Sequence, residues 1–231
     1  MTHRLALEGL EVHLRGMLLY RLSAEIGPGE VLAVAGPSGS GKSTLLAHIA
    51  GFLDPAFEAK GRILVDGRDV THAPPEARRI GLLFQDPMLF PHLSVAGNLL
   101  FGLARKRGDR RRMVVDALAS SGLAGFESRD PATLSGGQKA RVALLRVLLS
   151  DPCAILLDEP FSKLDPELRS EFRGFVFERL RQALIPTVLV THDRSDAYAS
   201  GDNCQLISLV ESDPGSPGTE ASSRSAFARK R

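Results

Sequence analysis

The chain has 231 residues, 43% of them apolar and 24% charged, enough for one large or two small domains with a buried core and incompatible with a peptide or a wholly disordered chain. Its 29 basic and 27 acidic residues leave a net charge of +2, so no global field draws it to nucleic acid or anionic lipid, and no nucleic-acid partner is expected. The two cysteines, Cys153 and Cys204, are far apart and form no Cys-x-x-Cys pair, which excludes a disulfide framework or thiolate zinc site and fits a reducing cytosol.

From Thr2 to Glu11 polar and apolar residues alternate, unlike a signal peptide. The longest apolar run, residues 142–149, contains Arg146 and falls well short of the roughly 18 residues that span a bilayer. The chain is therefore expected neither to cross a membrane nor to leave the cytosol by that route. Leu5, Leu7, Leu10 and Val12 read as a first strand, and residues 31–35 as a short continuous apolar strand buried on both faces. Gly27, Pro28 and Gly29 break the chain between them. A helix is predicted over residues 43–50, a hairpin arm over 62–65 before Asp66-Gly67, and a buried strand over 80–84. From about residue 87 to 134 helical spacing replaces strand runs, with helices expected at 98–104 and 113–121. Then come a helix at 136–149, a strand at 154–157, a long helix at 166–184 and a strand at 187–190. Strands alternating with helices predict an α/β fold with a mostly parallel sheet covered on both faces. Residues 211–231, rich in Ser, Pro and Gly with a basic end, read as a disordered tail.

Three segments carry the chemistry. Gly36-Pro37-Ser38-Gly39-Ser40-Gly41-Lys42-Ser43-Thr44 fits G-x-x-x-x-G-K-[ST] between a buried strand and a helix. Glycines let backbone N–H groups turn inward around phosphates, and the helix N-terminus adds partial positive charge. Lys42 is expected to reach the β and γ phosphates of a nucleotide, and the Ser43 hydroxyl to bind Mg²⁺. The second segment is an apolar run ending in Asp158 and Glu159. It would deliver Asp158 as a metal-holding carboxylate and Glu159 as general base for an attacking water. The third, Ser135-Gly136-Gly137-Gln138, precedes a long amphipathic helix, where Ser135 and Gln138 form a capping box and the glycines leave the first amides open to an anion.

Together these segments resemble the nucleotide-binding subunit of an ATP-binding cassette (ABC) transporter, over about residues 3–210. The resemblance implies a P-loop NTPase fold in one nucleotide-binding domain, with an antiparallel β subdomain and a helical insert at about 87–134. It also implies two cassettes pairing head to tail, so that the loop of one and the Ser135–Gln138 signature of the other sandwich each ATP. By the same likeness Gln85 senses Mg²⁺ and γ-phosphate, His192 is the switch histidine, and Asp165 lies in the loop that crosses to the second subunit. His13 stands where many cassettes stack an aromatic ring on adenine, with Tyr20 as a less well aligned alternative.

Residues 85–103 resemble the corresponding stretch of binding-protein-dependent importers, and within that group residues 130–138, 159–162 and 173–178 resemble those of Ynj-type importer ATPases. The implied partners are a second copy, transmembrane permeases and an extracytoplasmic solute-binding protein, at the cytoplasmic face of the inner membrane. Met88, Leu89, Phe90 and Leu93 could form a docking groove for the permease or pack on their own core. The basic residues from Arg105 to Arg112 read as a solvated helix start. An exporter ATPase and a soluble ABC-type ATPase remain as alternatives.

Overall fold

The computed structural model describes residues 2–103, 108–201 and 204–208. Its elements run β1 (Leu5–Leu14), β2 (Met17–Ile26), β3 (Val31–Ala35), α1 (Lys42–Ala50), β4 (Phe57–Val65), β5 (Arg68–Asp69), α2 (Pro75–Arg78), β6 (Ile80–Leu83), α3 (Val95–Gly102), α4 (Arg110–Ala119), α5 (Gly136–Leu149), β7 (Ala154–Asp158), α6 (Pro166–Ala183), β8 (Thr187–Thr191), α7 (Arg194–Tyr198) and β9 (Cys204–Ser208). The expected tail at 211–231, and residues 105–107 of the basic run, lie outside the described residues.

Alternation shapes the first sheet. Leu5, Leu7, Leu10 and Val12 are buried on β1, which pairs antiparallel with β2 and β4 in the order β2-β1-β4-β5. Asp66 and Gly67 turn the β4–β5 hairpin with φ of 52° and 77°, the two positive values of a type I′ turn. The Asp66 carboxylate also accepts from the Arg4 N–H at 2.8 Å and meets His3 Nδ1 at 2.7 Å, fastening the start of β1 to the hairpin.

The second sheet is parallel, in the order β6-β7-β8-β3-β9. Its three central strands, β7, β8 and β3, are buried along almost their whole length, because helices and the first sheet cover both faces. On β7, Ala154 and Leu156 pack with the first sheet and α1, while Ile155 and Leu157 pack with α5 and α6. A third cluster joins α3, α4 and α5 through Val95, Leu99, Leu118 and Val142, so α3 and α4, the helices of the expected insert, pack on α5. These two helices begin earlier than apolar spacing predicts. Ser94 caps α3 through the Gly97 N–H, and Asp109 caps α4 through the Arg112 N–H. Caps, rather than the first apolar residue, set these boundaries.

Arg78 is a buried cation of this scaffold, 5% exposed. It donates to the carbonyls of His48, Ile49, Thr71 and Ala73 at 2.6 to 3.0 Å, two of them at the end of α1, where helix carbonyls lack partners. Gly51 makes room for it, since a Cβ there would lie 2.5 Å from Arg78 Nε. Arg78→Ala removes these bonds, leaving carbonyls such as that of Ile49 without this partner, and is expected to cost about 3 kcal/mol or more, read as a fall in the urea midpoint at unchanged m-value. Arg78→Lys should recover less than half, because one ammonium cannot span the same fork.

Candidate nucleotide-binding site

The register of the parallel sheet gathers the site. Ala35 is level with Thr191, Asp158 with Val190, and Leu83 with Leu157. The segments leaving β3, β7, β8 and β6 therefore emerge along one edge, carrying respectively the glycine-rich loop, Asp158 with Glu159, His192 and Gln85. Ligands of open α/β sheets bind at this C-terminal edge.

In the loop, Gly39 and Gly41 have φ of 86° and 85°, a left-handed region that L side chains rarely enter. Lys42 is 6% exposed, and its Nζ donates to the Gly36 and Pro37 carbonyls at 2.9 and 2.6 Å. The lysine thus braces the loop from within, 3.9 Å from Glu159 Oε1. The Ser40 hydroxyl is buried and has no partner in the chain, a donor held ready for an acceptor such as a phosphate oxygen. Pro37, Ser38 and Thr44 complete the loop, Ser38 at its exposed turn and Thr44 at the start of α1.

Beside it, Ser43 Oγ lies 3.5 Å from both Asp158 oxygens. Burial first, and then the charge on Glu159, push the Asp158 carboxyl above the usual range, opposed by Ser43 and Lys42. A hydroxyl and two crowded carboxylates are oxygen donors of the kind that suit a small hard cation, so the residues present fit Mg²⁺.

Glu159 adopts φ 44°, a left-handed conformation costing a non-glycine residue roughly 1–3 kcal/mol. Its N–H is held by the Val190 carbonyl at 3.0 Å. The turn points the side chain to His192, whose Nδ1 sits 3.0 Å from Glu159 Oε2. Gln85 shares the edge but not that contact. Its amide donates to Ser162 Oγ at 2.9 Å, and Ser162 donates to the Glu159 carbonyl at 2.9 Å. The described contacts therefore place Gln85 on the turn after Glu159 rather than on Ser43 or Asp158. Asp165 caps α6 by accepting from the Leu168 N–H at 3.0 Å.

Ser135 and Gln138 form the expected capping box, Ser135 Oγ accepting from the Gln138 N–H and Gln138 Oε1 from the Ser135 N–H. A Cβ at Gly136 or Gly137 would lie 3.8 or 3.7 Å from Leu164 or Leu168. This segment is packed against the start of α6.

His13 is level with Leu18 and Glu58 near the end of β1, and its Nδ1 is buried without a partner in the chain. Tyr20 corrects the alternative reading of the adenine contact. It is fully buried, its hydroxyl 3.3 Å from His48 Nδ1, and burial raises its pKa. The Tyr20 ring lies 3.6 Å from a Cβ placed at Gly41, so it floors the loop and cannot stack on a ligand. Residue spacing alone missed this role, since an aromatic on an alternating strand reads equally as core.

Met88 is 62% exposed, whereas Leu89 packs on two core clusters and Asn98 is buried, bonded to the Phe90 N–H and carbonyl. Only part of that apolar stretch is thus free.

The family model for the ABC transporter matches residues 19–162. The chain is also 48% identical to the uncharacterized ABC transporter ATP-binding protein YnjD of Escherichia coli (strain K12), across 84% of this chain and 90% of that protein. The chain belongs to the ABC transporter family. It is similar as well to the sulfate/thiosulfate import ATP-binding protein CysA of Mycobacterium bovis, 44% identical over 78% of this chain but only 51% of that protein, so it spans about half the length of that relative. The structure of cbiO1 from Clostridium perfringens, part of the ABC transporter complex cbiONQ, matches with a TM-score of 0.77 and 30% identity, covering 90% of this chain and 85% of the other. As a member of this family the chain binds ATP and is an ATPase coupled to transport. Among the described residues, no helix of this ABC ATPase is long and apolar enough to cross a membrane.

Proposed function

We propose that two copies of this chain pair head to tail and hydrolyse Mg²⁺-ATP at composite sites, powering solute import through permease subunits. Each copy contributes one cassette, over residues 3–210. In each site loop 36–44 of one copy cradles the phosphates and Ser135, Gly136, Gly137 and Gln138 of the other close over them. His13 lies against the base, and Ser43, Asp158 and Gln85 would hold Mg²⁺. When bound, Mg²⁺ neutralises phosphate charge. Glu159 accepts the proton of a water attacking the γ-phosphorus, the bond to the ADP oxygen breaks, and His192 keeps the Glu159 carboxylate aimed.

The observation that supports this reading is that the two groups of residues touch different neighbours within one chain. Lys42, Ser43, Asp158, Glu159 and His192 meet at one sheet edge, while the signature glycines abut Leu164 and Leu168. Mixing two variants tests it. Lys42→Ala and Ser135→Arg chains are each expected to be inactive alone, yet their mixture should regain turnover, because one site of the mixed dimer joins an intact loop to an intact signature. A mixture as inactive as its parts would overturn the composite site.

Import is supported by relatives named for import of sulfate or thiosulfate and of spermidine or putrescine. Those cargoes differ in charge, so specificity belongs to the permease and to an extracytoplasmic solute-binding protein. A groove of about 340 Å³ lined by Phe52, Leu53, Phe57 and Phe84 adjoins Ser43 and Asp158, where a permease helix docked at the cytoplasmic face of the inner membrane would sense the nucleotide. The chain is therefore a peripheral subunit.

A further inference from the structure

His192 is half exposed, and the contact described for its ring is Glu159. Something else must hold it, and the residues on either side of it show what. Thr191 Oγ1 accepts from the Asp193 N–H at 3.0 Å and donates to Asp196 Oδ2 at 2.9 Å. Asp196 is 2% exposed, a buried charge that requires a partner. Arg169 supplies it with two bonds, Nε to Oδ1 at 3.2 Å and Nη2 to Oδ2 at 2.7 Å. The same Nη2 lies 2.8 Å from Asp193 Oδ2. Arg173 adds contacts of 3.4 Å to Asp196 Oδ1 and 3.3 Å to Ser195 Oγ. Two arginines thus balance two aspartates around the loop that carries His192.

The arginines come from α6, the helix capped by Asp165. The Arg169 N–H donates to the Asp165 carbonyl at 2.8 Å, so one turn of helix separates the capping residue from the guanidinium.

We propose that Arg169 and Asp196, linked to the His192 loop through Thr191, are positioning residues that fix His192 against Glu159 and couple its placement to the segment ending at Asp165. This rests on the reading of His192 as the residue that aims Glu159. In the head-to-tail dimer, a partner pressing on residues 162–165 would shift α6 and, through the Arg169 fork, the His192 loop. Hydrolysis would then depend on dimer closure without any group of the partner touching His192. A planar bidentate guanidinium transmits such a displacement where a single ammonium would swivel.

Three variants test it in the full-length protein: Thr191→Val, Arg169→Lys and Asp196→Asn. Thr191→Val removes only the bridging hydroxyl and keeps the volume, so it remains informative where Asp196→Asn fails to fold. Each folded variant is expected to lose about tenfold or more in kcat while ATP affinity stays within about threefold. The six histidines allow the His192 Cε1 resonance to be assigned by its loss in His192→Ala, and it should shift or broaden in each variant. Arg169→Lys should retain more turnover than Arg169→Ala. An unmoved His192 resonance, or unchanged kcat in a folded Thr191→Val and Arg169→Lys, would overturn the positioning role. Unchanged turnover in His192→Ala would instead overturn the reading of His192 itself, which the variants around it leave untouched.

Discussion

Replacing Glu159 by Gln should lower ATP turnover by about 10²- to 10⁴-fold, the usual contribution of a positioned general base, while nucleotide binding is retained. The amide keeps the shape of the side chain and the His192 contact, but it cannot take a proton. It also removes one of two adjacent negative charges, and Glu159 is the second-largest cause, after burial, that raises the Asp158 carboxyl. Affinity for the anionic nucleotide should therefore hold or rise slightly as that repulsion falls. With hydrolysis blocked, ATP should hold two chains together long enough for light scattering after size exclusion to show a dimer that ADP does not support. Wild-type turnover in Glu159→Gln would remove Glu159 from the base role. Slow turnover with no ATP-dependent dimer would leave the base in place and remove the sandwich.

The left-handed backbone of Glu159 is the part of this site that no pattern in the sequence announces. A strand ending in two carboxylates reads the same whether the second continues outward or turns back. Only the pairing of its N–H with the Val190 carbonyl shows the turn. Register is likewise invisible in a one-dimensional pattern. Continuous apolar runs at 31–35, 154–157 and 187–190 are legible as buried strands because both faces are covered, but their order in the sheet depends on tertiary packing. The glycine-rich loop was legible because its glycines and lysine serve local geometry at fixed spacing. Arg169, Arg173 and Asp196 were not, because charged residues on helices read as solvated until the neighbouring loop is seen to bury them. Tyr20 failed for the reverse reason, since its chemistry suggested a ligand and its surroundings made it a floor. The strand β2 and the short helix α7 were passed over as well. In β2 the run Met17-Leu18-Leu19-Tyr20 blurs the alternation that marks β1, and α7 is too short for helical spacing to register.

Lys42→Ala should weaken ATP binding by about 100-fold, and this loss has two sources that can be separated. Wild-type Lys42 spends its charge on the carbonyls of Gly36 and Pro37, so its removal relaxes the loop before any ligand arrives. It also deletes the cation nearest Glu159, leaving the carboxylates at the sheet edge to face the phosphates without it. A charge-assisted hydrogen bond contributes about 1.5–3 kcal/mol, and about 2.7 kcal/mol corresponds to that hundredfold change. Lys42→Met fills the same volume without charge and should bind as poorly as Lys42→Ala if charge dominates. If bracing dominates, Lys42→Met should recover part of the affinity through packing alone, because the side chain is buried. Lys42→Arg keeps the charge but presents a planar fork where two carbonyls converge on one nitrogen, and should bind more weakly than wild type. Equilibrium titration with a fluorescent ATP analogue ranks the three variants. Affinity of Lys42→Ala within about threefold of wild type would show that backbone N–H groups and the α1 N-terminus hold the phosphates without the lysine.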